Sequence, residues 1–194
     1  MDMWEPYLQA TLEAVPLASS KIVFDRFHIM QHMTKAVDSV RRAEHNALST
    51  AGDDRLKGTK YLWTTSKENV PPKRRSEFHA LRGTDLKTSR AWAIKEHLRH
   101  LWSYSVEGWA RRFFSEWNGW AMRCRLEPVK KVARMVKRRL DNVITYCRHR
   151  ITNGVAEGLN SKIMAIKRRA GGYRNVANFK TVIYFYCGGL KLYP

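Results

Sequence analysis

Between Trp102 and Trp120 large apolar side chains return at helical intervals. Trp102, Val106, Trp109, Phe113, Trp117 and Trp120 are separated by steps of four, three, four, four and three. Ala91, Ile94 and Leu98 start the same stripe one helix earlier. Such spacing puts the side chains on one face of an α-helix, or of two consecutive helices, and not on the alternating faces of a strand. A chain dominated by this pattern is expected to be mainly α. The aromatic residues suit either base stacking or a packed core. The core reading is preferred, because tryptophans at this spacing bury large areas.

The same period recurs elsewhere. Residues 4–15 read as a short helix, with Pro6 at an early position and Pro16 as its stop. Ile29, Met33, Ala36, Val37 and Val40 give residues 27–48 an apolar side. Gly52-Asp53-Asp54 reads as a loop, residues 60–64 as a strand or helix end, and Val70-Pro71-Pro72 as a break. Pro128 opens a helix whose buried side runs Val129, Val132, Val136, Leu140, Val143 and Cys147. Thr152 and Asn153 are candidate caps for another, which Gly171-Gly172 ends. A final apolar segment, 179–192, reads as helix with strand as its alternative. The one expected buried strand is Lys21-Ile22-Val23-Phe24-Asp25.

Charge narrows the partner. Lys and Arg number 36 against 17 Asp and Glu, a formal charge of +19 on 194 residues. That excess points to a polyanion. No apolar run approaches the ~18–20 residues of a membrane span, and no signal peptide opens the chain. Cys124, Cys147 and Cys187 are widely spaced and form no disulfide framework or zinc ribbon. A cytoplasmic protein is expected, with no membrane partner.

Two acids stand in suggestive contexts. Asp25 closes the apolar run and is followed by Arg26, Phe27 and His28. Glu157 lies in the first turn of a predicted helix beside Gly154 and Gly158, small neighbours that leave room for a phosphate backbone. Lys162, Lys167, Arg168 and Arg169 follow it. A glutamate favoured by the helix dipole explains Glu157 equally well. His28 and His32, four apart, suit a metal pair, but a polar helix start accounts for them more simply.

Four ordered blocks carry a family resemblance: Met1-Asp2-Met3-Trp4, Asp25-Arg26-Phe27-His28, Thr152-Asn153-Gly154-Val155-Ala156-Glu157-Gly158-Leu159-Asn160, and Lys167 through Asn175. Together they resemble bacterial insertion-sequence transposases with an RNase H-like DDE domain. The resemblance implies DNA as partner (transposon ends and target), a site in or near the nucleoid, the option of a homo-oligomer, and Mg²⁺ or Mn²⁺ as cofactor. It implies that Asp2 and Glu157 are catalytic metal ligands and that Asp25 with His28 forms an accessory motif. Asp25 as the second acid is the alternative mapping. Lys162, Lys167, Arg168, Arg169 and Arg174 are the DNA-binding residues it implies.

By the same resemblance, residues 1–33 are a remnant of the RNase H-like α/β core and residues 34–150 a helical insertion. Residues 151–194 are then the C-terminal core helices with the DDE glutamate. Most sheet strands and the first aspartate would precede residue 1, so the chain is expected to be a C-terminal part, inactive alone. A non-catalytic DNA-binding remnant that interferes with a full-length relative, and a basic RNA-binding protein, are the competing functions.

Overall fold

The computed structural model describes residues 5–150 and 154–189. Every regular element among them is helical. The chain divides into two compact units, Met1–Ile151 and Thr152–Pro194.

Unit 1 is organised around α3, Arg26–Thr50, the longest helix. Its periodic face, Ile29, Met33, Ala36, Val37 and Val40, is buried. Against that face pack α4 (Lys60–Thr64), α6 (Lys87–Leu98) and α8 (Glu127–Arg138). α7 (Glu107–Arg123) lies on α6 and α8. The short α1 (Glu5–Ala14), α2 (Ala18–Lys21), α5 (Arg75–Arg82), α9 (Leu140–Ile144) and α10 (Tyr146–His149) complete the unit. Residues 60–64, open between strand and helix in the sequence, are helical.

Only part of the aromatic stripe serves the core as expected, and Trp120 at its end is exposed. A 3₁₀ turn, Arg99–Ser103, ends α6, and Tyr104 is extended before α7 begins. Trp102, Phe113 and Trp117 are buried, whereas Val106 and Trp109 are exposed. The indole of Trp117 donates to the Ile94 carbonyl at 2.9 Å, which satisfies its one polar atom without water. Trp63, Phe78 and Trp92 meet edge to face with centroids 5.1 Å apart at each contact.

Two helix ends are finished by distant side chains. The carboxylate of Glu44 on α3 accepts from the backbone N–H of Lys87 and of Thr88, both at 2.7 Å, and from the Thr88 hydroxyl at 2.6 Å. It thereby caps the start of α6, where unpaired N–H groups and the helix dipole favour an anion. Lys95 does the converse for α4: its ammonium donates to the carbonyls of Trp63, Thr64 and Thr65 at 3.3, 3.4 and 2.9 Å.

The expected strand at 21–25 is corrected. Lys21 ends α2, and Ile22–Phe24 is extended and largely buried but has no strand beside it among the described residues. Asn142 on α9 takes the place of a neighbouring strand. Its side-chain amide donates to the Ser19 and Ile22 carbonyls at 2.9 and 3.1 Å, and its main-chain carbonyl accepts from Phe24 N–H at 3.2 Å. Backbone groups that a ladder would pair are satisfied this way instead. The long helix expected from Pro128 to Cys147 is also divided, at Arg139 and at Thr145, into α8, α9 and α10.

Unit 2 is a helical hairpin of α11 (Gly154–Arg169) and α12 (Val176–Cys187). Gly171 and Gly172, at φ 61° and 106°, make the turn, a geometry costly for any residue with a β-carbon. Asn175 caps α12 by accepting from Ala177 N–H at 2.8 Å. Tyr173 stacks on Phe179, centroids 4.8 Å apart.

Candidate functional site

Glu157 stands in the first turn of α11 and is exposed. Positions 157, 161, 164 and 168 follow one another by four, three and four residues, so Glu157, Ser161, Met164 and Arg168 share one face of the helix. All four are exposed, whereas Ile163 and Ile166, on the other side, are half-buried. Glu157 therefore faces away from the hairpin's own packing. A β-carbon at Gly158 would meet no described residue within 4 Å.

Charge around Glu157 is one-sided. It is the only acid in residues 152–194, a stretch that holds Lys162, Lys167, Arg168, Arg169, Arg174, Lys180 and Lys191. Lys162, Lys167, Arg168, Arg169 and Arg174 are all exposed. Lys167, Arg168 and Arg169 fall in the last turn of α11, where cations also suit the helix dipole. Arg168 is about 16 Å along the axis from Glu157 at 1.5 Å per residue.

Asp25 and His28 lie at the start of α3 in unit 1. Asp25 is the N-cap: it is 7% exposed and its carboxylate accepts from Phe27 N–H at 2.7 Å. His28 is half-buried and meets Phe27 edge to face, centroids 5.5 Å apart. The extended segment before Asp25 is held by Asn142, and the Arg139 guanidinium lies 5.6 Å from the centre of the Phe24 ring while pairing with Glu5. Asp25 is thus fixed at the junction of α2, α3 and α9 by groups from both ends of the unit. No sequence signal announces Asn142 in this role, because its partners are 120 and 123 residues away.

Asp2, Thr152 and Asn153 lie outside the described residues. Among those described, no three His, Cys, Asp or Glu side chains gather closely enough to hold a metal ion. His32 is exposed on the first turns of α3. Glu157 offers an accessible carboxylate oxygen, the donor that Mg²⁺ or Mn²⁺ takes, and fits such an ion as one ligand of several.

No helix of the described residues is long and apolar enough to cross a membrane. Residues 1–183 match the family of ISL3-type DDE transposases. The chain is 26% identical, over 163 residues, to the transposase for insertion sequence element IS1001 of Bordetella parapertussis, covering 82% of this chain and 40% of that protein. It is 27% identical, over 174 residues, to the transposase for insertion sequence element IS1557 of Mycobacterium tuberculosis, covering 78% of this chain and 39% of that protein. The chain therefore spans about two fifths of the length of the curated relatives it matches. No solved structure matches it.

Proposed function

Because the chain belongs to the ISL3 family of DDE transposases, we propose that it serves DNA transposition and that Glu157 is one carboxylate of the metal-binding catalytic set. The observation that carries this reading is the setting of Glu157: an exposed acid, the only one in residues 152–194, on a helix start followed by cations. Lys162, Lys167, Arg168, Arg169 and Arg174 would hold the phosphate backbone, and Glu157 would be one ligand of the ion. Bound Mg²⁺ or Mn²⁺ supplies activation of the attacking oxygen and neutralisation of the leaving one.

Asp2 is proposed as a second carboxylate, with Asp25 and His28 in an accessory, positioning role. The burial of Asp25 and its use as the N-cap of α3 support that assignment over direct metal binding. A cap already committed to a backbone N–H has fewer oxygens to offer an ion.

The 194-residue polypeptide by itself is proposed to bind duplex DNA without cleaving it. Its two proposed ligands leave a two-metal centre short of charge. Strand transfer by the purified chain in Mg²⁺ or Mn²⁺, lost on Glu157→Ala, would overturn that inactivity. Duplex binding is expected to weaken steeply as salt rises. A flat response between low and moderate salt would sink DNA as the partner. The formal charge of +19 also supports a second reading, in which the chain occupies DNA or forms mixed oligomers and so interferes with a full-length relative. Inhibition of such a relative by added chain, undiminished by Glu157→Ala, is the result that reading requires.

A further inference from the structure

The cations assigned to DNA so far all lie in unit 2. Unit 1 carries a second cationic surface, on α8. Val129, Val132, Ala133 and Val136 turn one side of this helix into the core. Lys131, Arg134, Lys137 and Arg138 are exposed on the rest. Glu127 holds Arg134 at 2.7 Å, but Lys131, Lys137 and Arg138 have no ion pair with a described residue. From 131 to 138 the helix rises about 10.5 Å. That is the axial span of about three phosphates of one duplex strand, at 3.4 Å each.

At the start of α8 lies a groove of about 650 Å³ between α3, the first turn of α6 and the α7–α8 turn. Lys87, Arg90 and Arg125 line it, all exposed and none ion-paired with a described residue. Its two acids already have partners: Glu44 caps α6 and Glu127 holds Arg134. Arg125 has φ 59°, a left-handed backbone that disfavours a residue with a β-carbon. The turn thus carries a guanidinium at a position where glycine would be less strained.

We propose that the outer face of α8 and this groove form a second contact for the phosphate backbone of duplex DNA, additional to the residues of α11. The choice of DNA as the polyanion rests on the function proposed above. The surface itself is read from unit 1 alone.

The test uses the whole 194-residue chain and a short mixed-sequence duplex, titrated between about 50 and 200 mM salt. In one variant Arg90, Lys131, Lys137 and Arg138 are each changed to Gln. In another, Lys162, Lys167, Arg168 and Arg169 are. Gln has nearly the helix propensity of Lys and Arg, and a thermal melt checks that each variant folds. If the four-site variant melts early, Lys137→Gln/Arg138→Gln replaces it. Each lost phosphate contact lowers the slope of log affinity against log salt by about 0.9. The unit 1 variant is expected to lose two to four such contacts and at least tenfold in affinity at the lower salt. Unchanged slope and affinity, with the unit 2 variant impaired, removes the α8 surface and leaves the proposed function standing. Failure of the unmodified chain to bind duplex at any salt removes both. Tighter binding of structured RNA than of duplex, lost in the unit 1 variant, overturns the assignment to DNA.

Discussion

Lys95 sits inside unit 1, 2% exposed, with its ammonium aimed at three carbonyls that end α4 and paired to Glu96 at 3.1 Å. Burial holds its pKa below the ordinary 10.5, with Glu96 opposing that shift. Lys95→Met is expected to cost about 1–3 kcal/mol, because the three carbonyls lose their donor. Lys95→Ala should cost more, since it also opens a cavity. The folded state binds its proton less tightly than the unfolded chain. The protein should therefore gain stability relative to Lys95→Met as pH rises from the depressed folded value to 10.5, as read from denaturant midpoints. A stability difference that shrinks over that range would contradict the burial argument. At Asp25, Ala should cost about 0.5–2 kcal/mol through the lost cap, and Asn far less. If Asp25→Asn keeps the melting temperature but abolishes DNA cleavage in a longer protein containing this chain, the carboxylate charge itself is needed there, beyond its service as a cap.

At the scale of elements, α6 depends on Glu44 from α3. Glu44→Ala leaves the N–H groups of Lys87 and Thr88 without their acceptor and is expected to lower unfolding free energy by about 1–3 kcal/mol. A loss below about half a kcal/mol would mean that water replaces the carboxylate fully. The helices themselves were readable: the buried apolar residues of α3 are those its period selects, and Pro128 opens α8 where a proline is tolerated. The breaks were not. Neither the turn at Ser103–Val106 nor the one at Arg139 contains glycine or proline, and apolar spacing continues across both. At Arg139 the contacts are tertiary: it leaves helical geometry where its side chain meets Glu5 and Phe24. The segment ending at Asp25 read as a strand because it is apolar and β-branched. Its extended backbone agrees, but one asparagine pairs it where a sheet would, through its side-chain amide to Ile22 and its main-chain carbonyl to Phe24. At Glu157 the flanking glycines and following cations suit a helix-start glutamate equally well, so its proposed role comes from the resemblance, with which its exposure agrees.

For the molecule as a whole, the two units differ in what they bury. Unit 1 has a continuous core running from Leu8 to Cys147. In unit 2, no residue of 154–189 whose exposure is described is buried, and Val176, Tyr184, Phe185 and Tyr186 are exposed. A two-helix hairpin of this length buries too little apolar area to be stable on that account. Amides of α11 and α12 are therefore expected to exchange with deuterium well before those of α3 and α7. Equal protection in both units would show that unit 2 is stabilised by something besides its own packing.

The tie between Asn142 and the carbonyls of Ser19 and Ile22 has a consequence for biosynthesis. Its partners are separated by 120 residues or more. At about 5–20 residues per second, a ribosome needs roughly 6–24 s to add that stretch. Throughout that interval the segment leading to Asp25 has emerged but cannot be seated, and its buried apolar side chains stand open to chaperones and proteases.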